Sequence, residues 1–195
     1  PLSSLLGWIA ILKMENVNDK YVNEIEKDVH RLNTIANRFS KIGSLPKLKK
    51  SDIISATKNA YEYLEFRSSK QISFKFISNE KELFCNLNEE LYEWVIENLI
   101  KNAIDAMLGK GKLTLSITSE NNKVILNISD TGKGMSKSQF RKIFDPGFTT
   151  KKRGWGLGLS LSQRIIEDYH TGKIIVKSSE VNKGTTFQII LDKVT

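Results

Sequence analysis

Asn98 and Asn102 stand four residues apart in LYEWVIENLIKNAIDAM, a spacing that puts two carboxamides on one face of a helix. Their oxygens are neutral ligands. A hard cation such as Mg2+ keeps several waters and takes few protein oxygens, so it suits such a pair better than a carboxylate cage. Downstream, Asp130 closes an alternating apolar run and is followed by Thr131, Gly132, Lys133, Gly134 and Met135. A carboxylate at a strand end, beside two glycines that let backbone come close, can accept a hydrogen bond from an exocyclic amine such as that of adenine. A third group is basic and glycine-rich: Lys151, Lys152 and Arg153 precede Gly154, Gly156 and Gly158, which interleave with Trp155, Leu157 and Leu159. Glycines at a helix start admit backbone amides to an anion, and the helix dipole favours negative charge there.

Each group alone has a plainer reading. Asparagines on a helix ordinarily satisfy each other or nearby backbone, and Asp-Thr-Gly-Lys-Gly is good turn chemistry by itself. The glycine-rich run is not a P-loop, because no G-x-x-x-x-G-K-[ST] occurs in the chain. It is not a dinucleotide fingerprint either, since it is not on the first strand of a βαβ unit and lacks the acidic residue about twenty positions on. The argument for function is the order of the three groups: a helix, a strand end, and a loop running into a second helix.

Those groups need elements to hold them. Leu91, Val95, Leu99, Ala103 and Ala106, with Trp94 and Ile96 widening the stripe, predict a mostly buried helix. Val124, Leu126 and Ile128 alternate with Ile125, Asn127 and Ser129 and predict a strand. Around them the pattern predicts a short strand near Leu48, a helix over Ile53 to Arg67, and strands at 72–77, 83–87, 112–119, 173–178 and 185–191. This is an α+β sandwich, a mixed sheet with helices on one face. Further upstream, Leu2, Leu5, Ile9 and Leu12 make one apolar stripe, and Val22, Ile25, Val29, Leu32, Ala36 and Phe39 make a longer one. They predict a helical hairpin that must pair with a second copy, as a four-helix bundle, to bury its faces. Gly43 to Pro46 read as the linker, giving a hairpin over 1–45 and a second domain over 46–195.

Taken together, ENLIKNAIDAM, SDTGKGM, FDPGFTT and GWGLGL resemble the asparagine box, first glycine box, phenylalanine box and second glycine box of the ATP-binding fold shared by sensor histidine kinases, DNA gyrase, Hsp90 and MutL, most closely the bacterial histidine kinases. The resemblance runs over 46–195, with NKGTTFQIIL as the last glycine box and final strand. It implies that Asn98 and Asn102 hold Mg2+ and phosphates, with Asn98 and Lys151 serving catalysis. It implies that Asp130 takes the adenine amino group while Gly132, Gly134 and Met135 line its pocket and Thr185 approaches the adenine side. By the same resemblance a lid over 136–154 closes on ATP. Phe144, Thr149, Thr150 and Lys151 belong to that lid, and Gly154, Gly156, Leu157, Gly158 and Leu159 form its hinge and phosphate contact. Gyrase-like relatives carry a catalytic Glu one turn before the metal-binding Asn, where this chain has Asn98, which favours phosphotransfer over hydrolysis.

The chain departs from the family in places. Asp105, on the nucleotide side of the helix, stands where many histidine kinases have Lys, which argues against a direct phosphate contact there. Trp155 replaces a small residue and is expected to pack under the lid rather than stack on the nucleotide. Pro1-Leu2 resembles the tail of the phosphoacceptor motif, placing the acceptor histidine upstream. Of the two histidines present, His30 and His170, His30 falls on the outward flank of its helix and reads as solvated. The implied protein is a homodimer, through its hairpin, that autophosphorylates with ATP and passes the phosphoryl group to a response regulator receiver domain. The competing readings are a gyrase- or Hsp90-like ATPase and a nucleotide-binding adaptor without transfer.

Composition sets bounds. The chain has 195 residues, 39% of them apolar, and one cysteine, so it can bury a core but has no disulfide framework. Its net charge of +8 is spread along the sequence with runs at 47–50 and 151–153. No groove-reading motif accompanies that charge, so no nucleic-acid partner is expected. No apolar run of about eighteen residues occurs, so the expected location is cytoplasmic, with any membrane attachment through segments outside this sequence.

Overall fold

The computed structural model describes residues 2–14, 22, 23, 25, 26, 29, 46–151 and 155–194. Two compact units, Pro1–Pro46 and Lys47–Thr195, are described separately.

In the first unit, helix α1 (Leu2–Met14) packs through Ile9, 3% exposed, against Val22 and Val29, with Leu6 and Leu12 alongside. Lys13 pairs with Glu26 at 2.5 Å. Within the single chain, Leu5 is 45% exposed while Leu6 packs on this cluster, and Ile25 is 49% exposed. The difference arises because a helix turns 100° per residue, so one position decides which of two neighbouring leucines faces inward. Leu32, Ala36, Phe39, His30 and the linker residues Gly43, Ser44 and Leu45 lie outside the described residues.

In the second unit, β1 (Lys49–Asp52) pairs antiparallel with β3 (Phe84–Leu87) in a two-stranded sheet of its own. Asp52 caps α2 (Ile53–Arg67), accepting from the Ile54 and Ser55 amides at 3.2 Å and from the Leu83 amide at 3.0 Å, so one carboxylate starts the helix and fixes the approach to β3. Asn88 caps α3 (Glu89–Ala106) through the Leu91 amide, and Glu89 and Glu90 sit in the first turn, where the helix dipole favours anions. The buried face of α3 is Leu91, Tyr92, Val95, Ile96, Leu99, Ile100 and Ala103; Ala106 and Trp94, expected on that stripe, stay half-buried at its edges.

The main sheet has the order β2-β4-β5-β7-β6, from β2 (Ile72–Ser78), β4 (Gly111–Glu120), β5 (Lys123–Asp130), β6 (Lys173–Glu180) and β7 (Gly184–Asp192). The β2–β4 pair is parallel, with β3 and α3 in the crossover, and the other pairs are antiparallel. One face carries Leu113, Leu115, Ile117, Val124, Leu126, Ile128, Ile189 and Leu191, each 2% exposed or less, in one core with the apolar sides of α2 and α3. The other is polar and self-bonded: Gln188 donates to Asn127 at 2.9 Å, and Ser129 meets Thr186 at 2.9 Å. That division is the expected α+β layering, with one wet face on a largely antiparallel sheet.

Candidate functional site

Period-two alternation puts Asp130 on the same side of β5 as Leu126 and Ile128, so a carboxylate ends the apolar face of the strand. It is 8% exposed. Burial raises its pKa above the ordinary aspartate value, and the N–H groups of Gly132, at 2.7 Å, and Thr185 partly offset this. A carboxylate so placed gains from any further donor brought to it. An open recess of about 270 Å3 lies beside it, lined also by Ser179, Lys183, Gly184 and Thr185. Two glycines hold the floor of this region by close backbone contact. A Cβ on Gly132 would lie 2.6 Å from the Ala106 carbonyl carbon, and one on Gly134 (φ +59°) would lie 1.9 Å from the Glu180 oxygen. Met135 is tied in through its amide, which donates to Ser179 Oγ at 2.9 Å, while Ser179 also meets Thr185 Oγ1 at 2.9 Å.

On α3, Asn98 and Asn102 are both half-buried. They meet different partners. Asn98 Nδ2 donates to Ser162 Oγ at 2.9 Å. Asn102 Oδ1 accepts from Lys151 Nζ at 2.7 Å, and the same ammonium reaches Asp105 Oδ2 at 2.6 Å. One turn of α3 thus converges two oxygens on a single positive centre, the donor chemistry a hard divalent cation needs. The lysine side chain is 43% exposed, so this pair is weak and exchangeable. The recess beside Asp130 is lined by none of these residues; on the asparagine side, Lys151 lies across α3 instead.

Lys151 arrives at the end of a segment that is anchored first. After the short helix α4 (Gln139–Lys142), Ile143 and Phe144 are buried, with Phe144 edge-on to Phe187 at 6.4 Å. Phe144 is therefore a core anchor, and Phe148 further along the expected lid also packs on the core. The Gly147 amide donates to the Gly156 carbonyl at 3.1 Å, closing the neck of the loop. Gly156 (φ +66°) has no room for a side chain there, since a Cβ would lie 2.4 Å from the Gly147 carbonyl carbon. Within the loop, Thr149 Oγ1 accepts from the Lys151 amide and Thr150 Oγ1 accepts from Lys133 Nζ at 3.1 Å. Trp155, expected to pack under the lid, is 80% exposed in this structure. Lys152, Arg153 and Gly154 lie outside the described residues. Helix α5 (Gly158–Arg164) comes next, with Leu157 and Leu159 half-buried at its start. Gly158 faces Asn98, whose Oδ1 would be 2.6 Å from a Cβ there.

Residues 88–195 match the family described as histidine kinase-, DNA gyrase B- and HSP90-like ATPase. The chain belongs to this ATPase family. Among its relatives is sporulation kinase E of Bacillus subtilis (strain 168), 30% identical over 199 residues; the match covers 98% of this chain and 26% of that kinase. This chain therefore spans about a quarter of the length of that relative. Among solved structures, the nucleotide-free catalytic domain of histidine kinase ThkA has a TM-score of 0.69 at 31% identity, covering 76% of this chain and 97% of that one. ThkA in complex with response regulator protein TrrA has a TM-score of 0.71 at 27% identity, covering 100% of this chain and 58% of that one.

In this member of the ATPase family, His170 is a structural residue. It follows a π-helical turn (Ile165–Tyr169) and is 4% exposed. Its Nδ1 is 2.8 Å from the Ile165 carbonyl, so Nδ1 carries the proton, and Nε2 accepts from the Asn88 amide at 3.0 Å. The neutral ring thereby ties the cap of α3 to the end of the α5 arm. Burial lowers its pKa below 6.5. Because the unfolded chain then binds more protons than the native one between the lowered value and about 6.5, native stability is full above that window and falls as pH drops through it. Urea unfolding at pH 7.5 and 5.5 is expected to show this loss in the parent and a smaller one in His170→Asn; equal losses in both would remove the assignment.

Sequence reasoning misses three residues of this ATPase-family site: Ser162 under Asn98, Lys133 against Thr150, and Ser179 joining Met135 to Thr185. Lys133 lies inside the first glycine box and is within reach of such reasoning. The other two act across long sequence separations, and no local pattern marks them. Cys85 is free and buried, and burial pushes its thiol up to about 12, so it is an inert core residue. Among the described residues, no cluster of three His, Cys, Asp or Glu side chains could hold a metal, and no helix is long and apolar enough to cross a membrane.

Proposed function

We propose that this chain is the ATP-binding and dimerisation core of a sensor histidine kinase, moving the γ-phosphoryl group of ATP to a histidine and then to an aspartate of a response regulator. The observation that carries it is Asp130, a buried carboxylate ending a strand beside an open recess, in the same domain as the Asn102 and Asp105 oxygens that meet Lys151. In this reading Asp130 accepts the adenine amino group and Thr185, Gly132, Gly134 and Met135 frame the base. Asn102, with Asn98, would hold Mg2+, which supplies charge neutralisation at the phosphates. Lys151 moves from Asn102 to the phosphates as Thr149, Thr150, Gly154, Gly156, Leu157, Gly158 and Leu159 close over them. Phe144 serves from the core, as the anchor of that loop. Catalysis of this kind is positioning and electrostatics: the bond from the γ-phosphorus to the bridging oxygen breaks, a phosphorus–nitrogen bond forms, and ADP departs.

Several observations favour this over an ATP-hydrolysing machine. Asn98 stands where hydrolysing relatives have Glu, and the adjacent Glu97 is paired with Lys101 at 2.7 Å. His170 has both ring nitrogens engaged and is buried, so it is not the acceptor. Dimerisation is supported by the apolar side chains that α1 leaves exposed, Leu5, Trp8, Ile11 and Met14, at 45%, 62%, 45% and 83%. The ThkA–TrrA complex makes a receiver domain the natural partner.

The test is labelling of the full-length protein with γ-labelled ATP. An acid-labile, base-stable label is expected, as for a phosphoramidate, and GTP, whose ring carries a carbonyl in place of the amine, is expected to label poorly. Asp130→Ala should weaken ATP by about 1.5–3 kcal/mol, the range for a hydrogen bond to a charged group. Equal labelling from ATP and GTP, or an acid-stable product, would overturn the reading.

A further inference from the structure

Helix α5 holds the nitrogen end of the Asn98 carboxamide and leaves room for its oxygen end. Ser162, on the last turn of that helix, is wholly buried (0% exposed) and receives the Asn98 Nδ2 hydrogen at 2.9 Å. Gly158, four residues earlier and on the same helical face, has no side chain where the Asn98 oxygen lies; a Cβ there would come within 2.6 Å of Oδ1 and 3.1 Å of Nδ2. The hydroxyl takes the nitrogen end and the glycine makes room for the oxygen end.

We infer that Ser162 is a positioning residue for nucleotide binding, fixing the Asn98 carboxamide so that its oxygen is turned toward the phosphate and metal side of the site. The inference rests on the proposed role of Asn98. It adds a residue that no local motif marks and a route of coupling. Helix α5 begins directly after the loop closed by Gly147 and Gly156, so the orientation of Asn98 depends on how the arm leaving that loop is seated. A half-buried asparagine without this partner samples several rotamers, and a nucleotide must then select one of them, which weakens binding.

A double-mutant cycle in Mg-ATP affinity, measured by calorimetry, separates this from a general packing effect. Ser162→Ala is expected to weaken Mg-ATP by about fivefold in the parent, the scale of one net hydrogen bond, and by less than about twofold when Asn98 is already Ala. Ser162→Cys keeps the volume but accepts a hydrogen bond poorly, so it should behave like Ser162→Ala and guards against a cavity or folding defect. The Asn98 side-chain amide resonances should move in both Ser162 variants. If Asn98→Ala weakens Mg-ATP while Ser162→Cys binds like the parent, or if Ser162→Ala costs the same in both backgrounds, Ser162 has no positioning role and the site stands. If Asn98→Ala itself leaves Mg-ATP affinity unchanged, the site reading fails first and the inference with it.

Discussion

Asn102→Ala is expected to lower Mg-ATP affinity by on the order of 100-fold while leaving the fold intact. The Asn102 oxygen already accepts an ammonium at 2.7 Å, with the Asp105 carboxylate beside it. Removing a neutral oxygen from a cation site forfeits a charge-assisted contact worth about 1.5–3 kcal/mol, and the loss of Mg2+ also removes the neutralisation of the phosphates. The native state barely notices, because Asn102 is half-buried and its oxygen meets an exposed lysine. Calorimetric titration with ATP, with and without Mg2+, together with a denaturation curve, checks both halves. Undiminished Mg-dependent affinity in a folded variant would remove the metal assignment.

A large effect on stability is expected at Gly134. Its φ of +59° costs a side chain about 1–2 kcal/mol, and the added Cβ would stand 1.9 Å from the Glu180 carbonyl oxygen and 3.1 Å from that of Gly184. Both obstacles are backbone of the β6–β7 hairpin, so relief requires moving the strands that carry Thr185 and Ser179. With overpacking of about 1–3 kcal/mol added, Gly134→Ala should destabilise the domain by roughly 2–5 kcal/mol and lower Tm by on the order of 10 °C. Gly147→Ala is the control. Its φ is +86° but nothing lies within 4 Å of the added Cβ, so only the conformational cost applies. Equal midpoints for the two variants would contradict the argument from close backbone approach.

The features legible in the chain are those that repeat locally. The α3 stripe, the alternation along β5 and the parity that puts Asp130 on the apolar face all come from periods of 3.6 and 2. The boxes then locate the candidate site through their order. The rest depends on contacts distant in sequence or on competition between neighbours. On α1, Leu6 rather than Leu5 packs within the single chain, and adjacent leucines are indistinguishable to a periodicity. The separate β1–β3 sheet arises from pairing, and the π-helical turn before His170 from packing; neither has a pattern of its own. Trp155 reads as an inside residue because indoles are highly buried on average, and it is 80% exposed. Lys151 reads as a phosphate ligand, and in this structure it meets the oxygens of Asn102 and Asp105. Ser162 and Ser179 meet their partners across α5 and across the β6–β7 hairpin, where single-sequence reasoning has no purchase.

The neck formed by the Gly147 amide and the Gly156 carbonyl bears on how this region can change over evolutionary time. A loop whose ends are joined by one hydrogen bond close to the core has its two ends fixed, and Phe148 at its start packs on that core. Closure entropy grows only with the logarithm of length, so doubling the insert costs about 0.6 kcal/mol. Insertions between Lys151 and Gly156 therefore cost folding little. Drift in length can accumulate there and retune how a nucleotide is enclosed, while Phe144 on one side and Gly158 on the other keep their places.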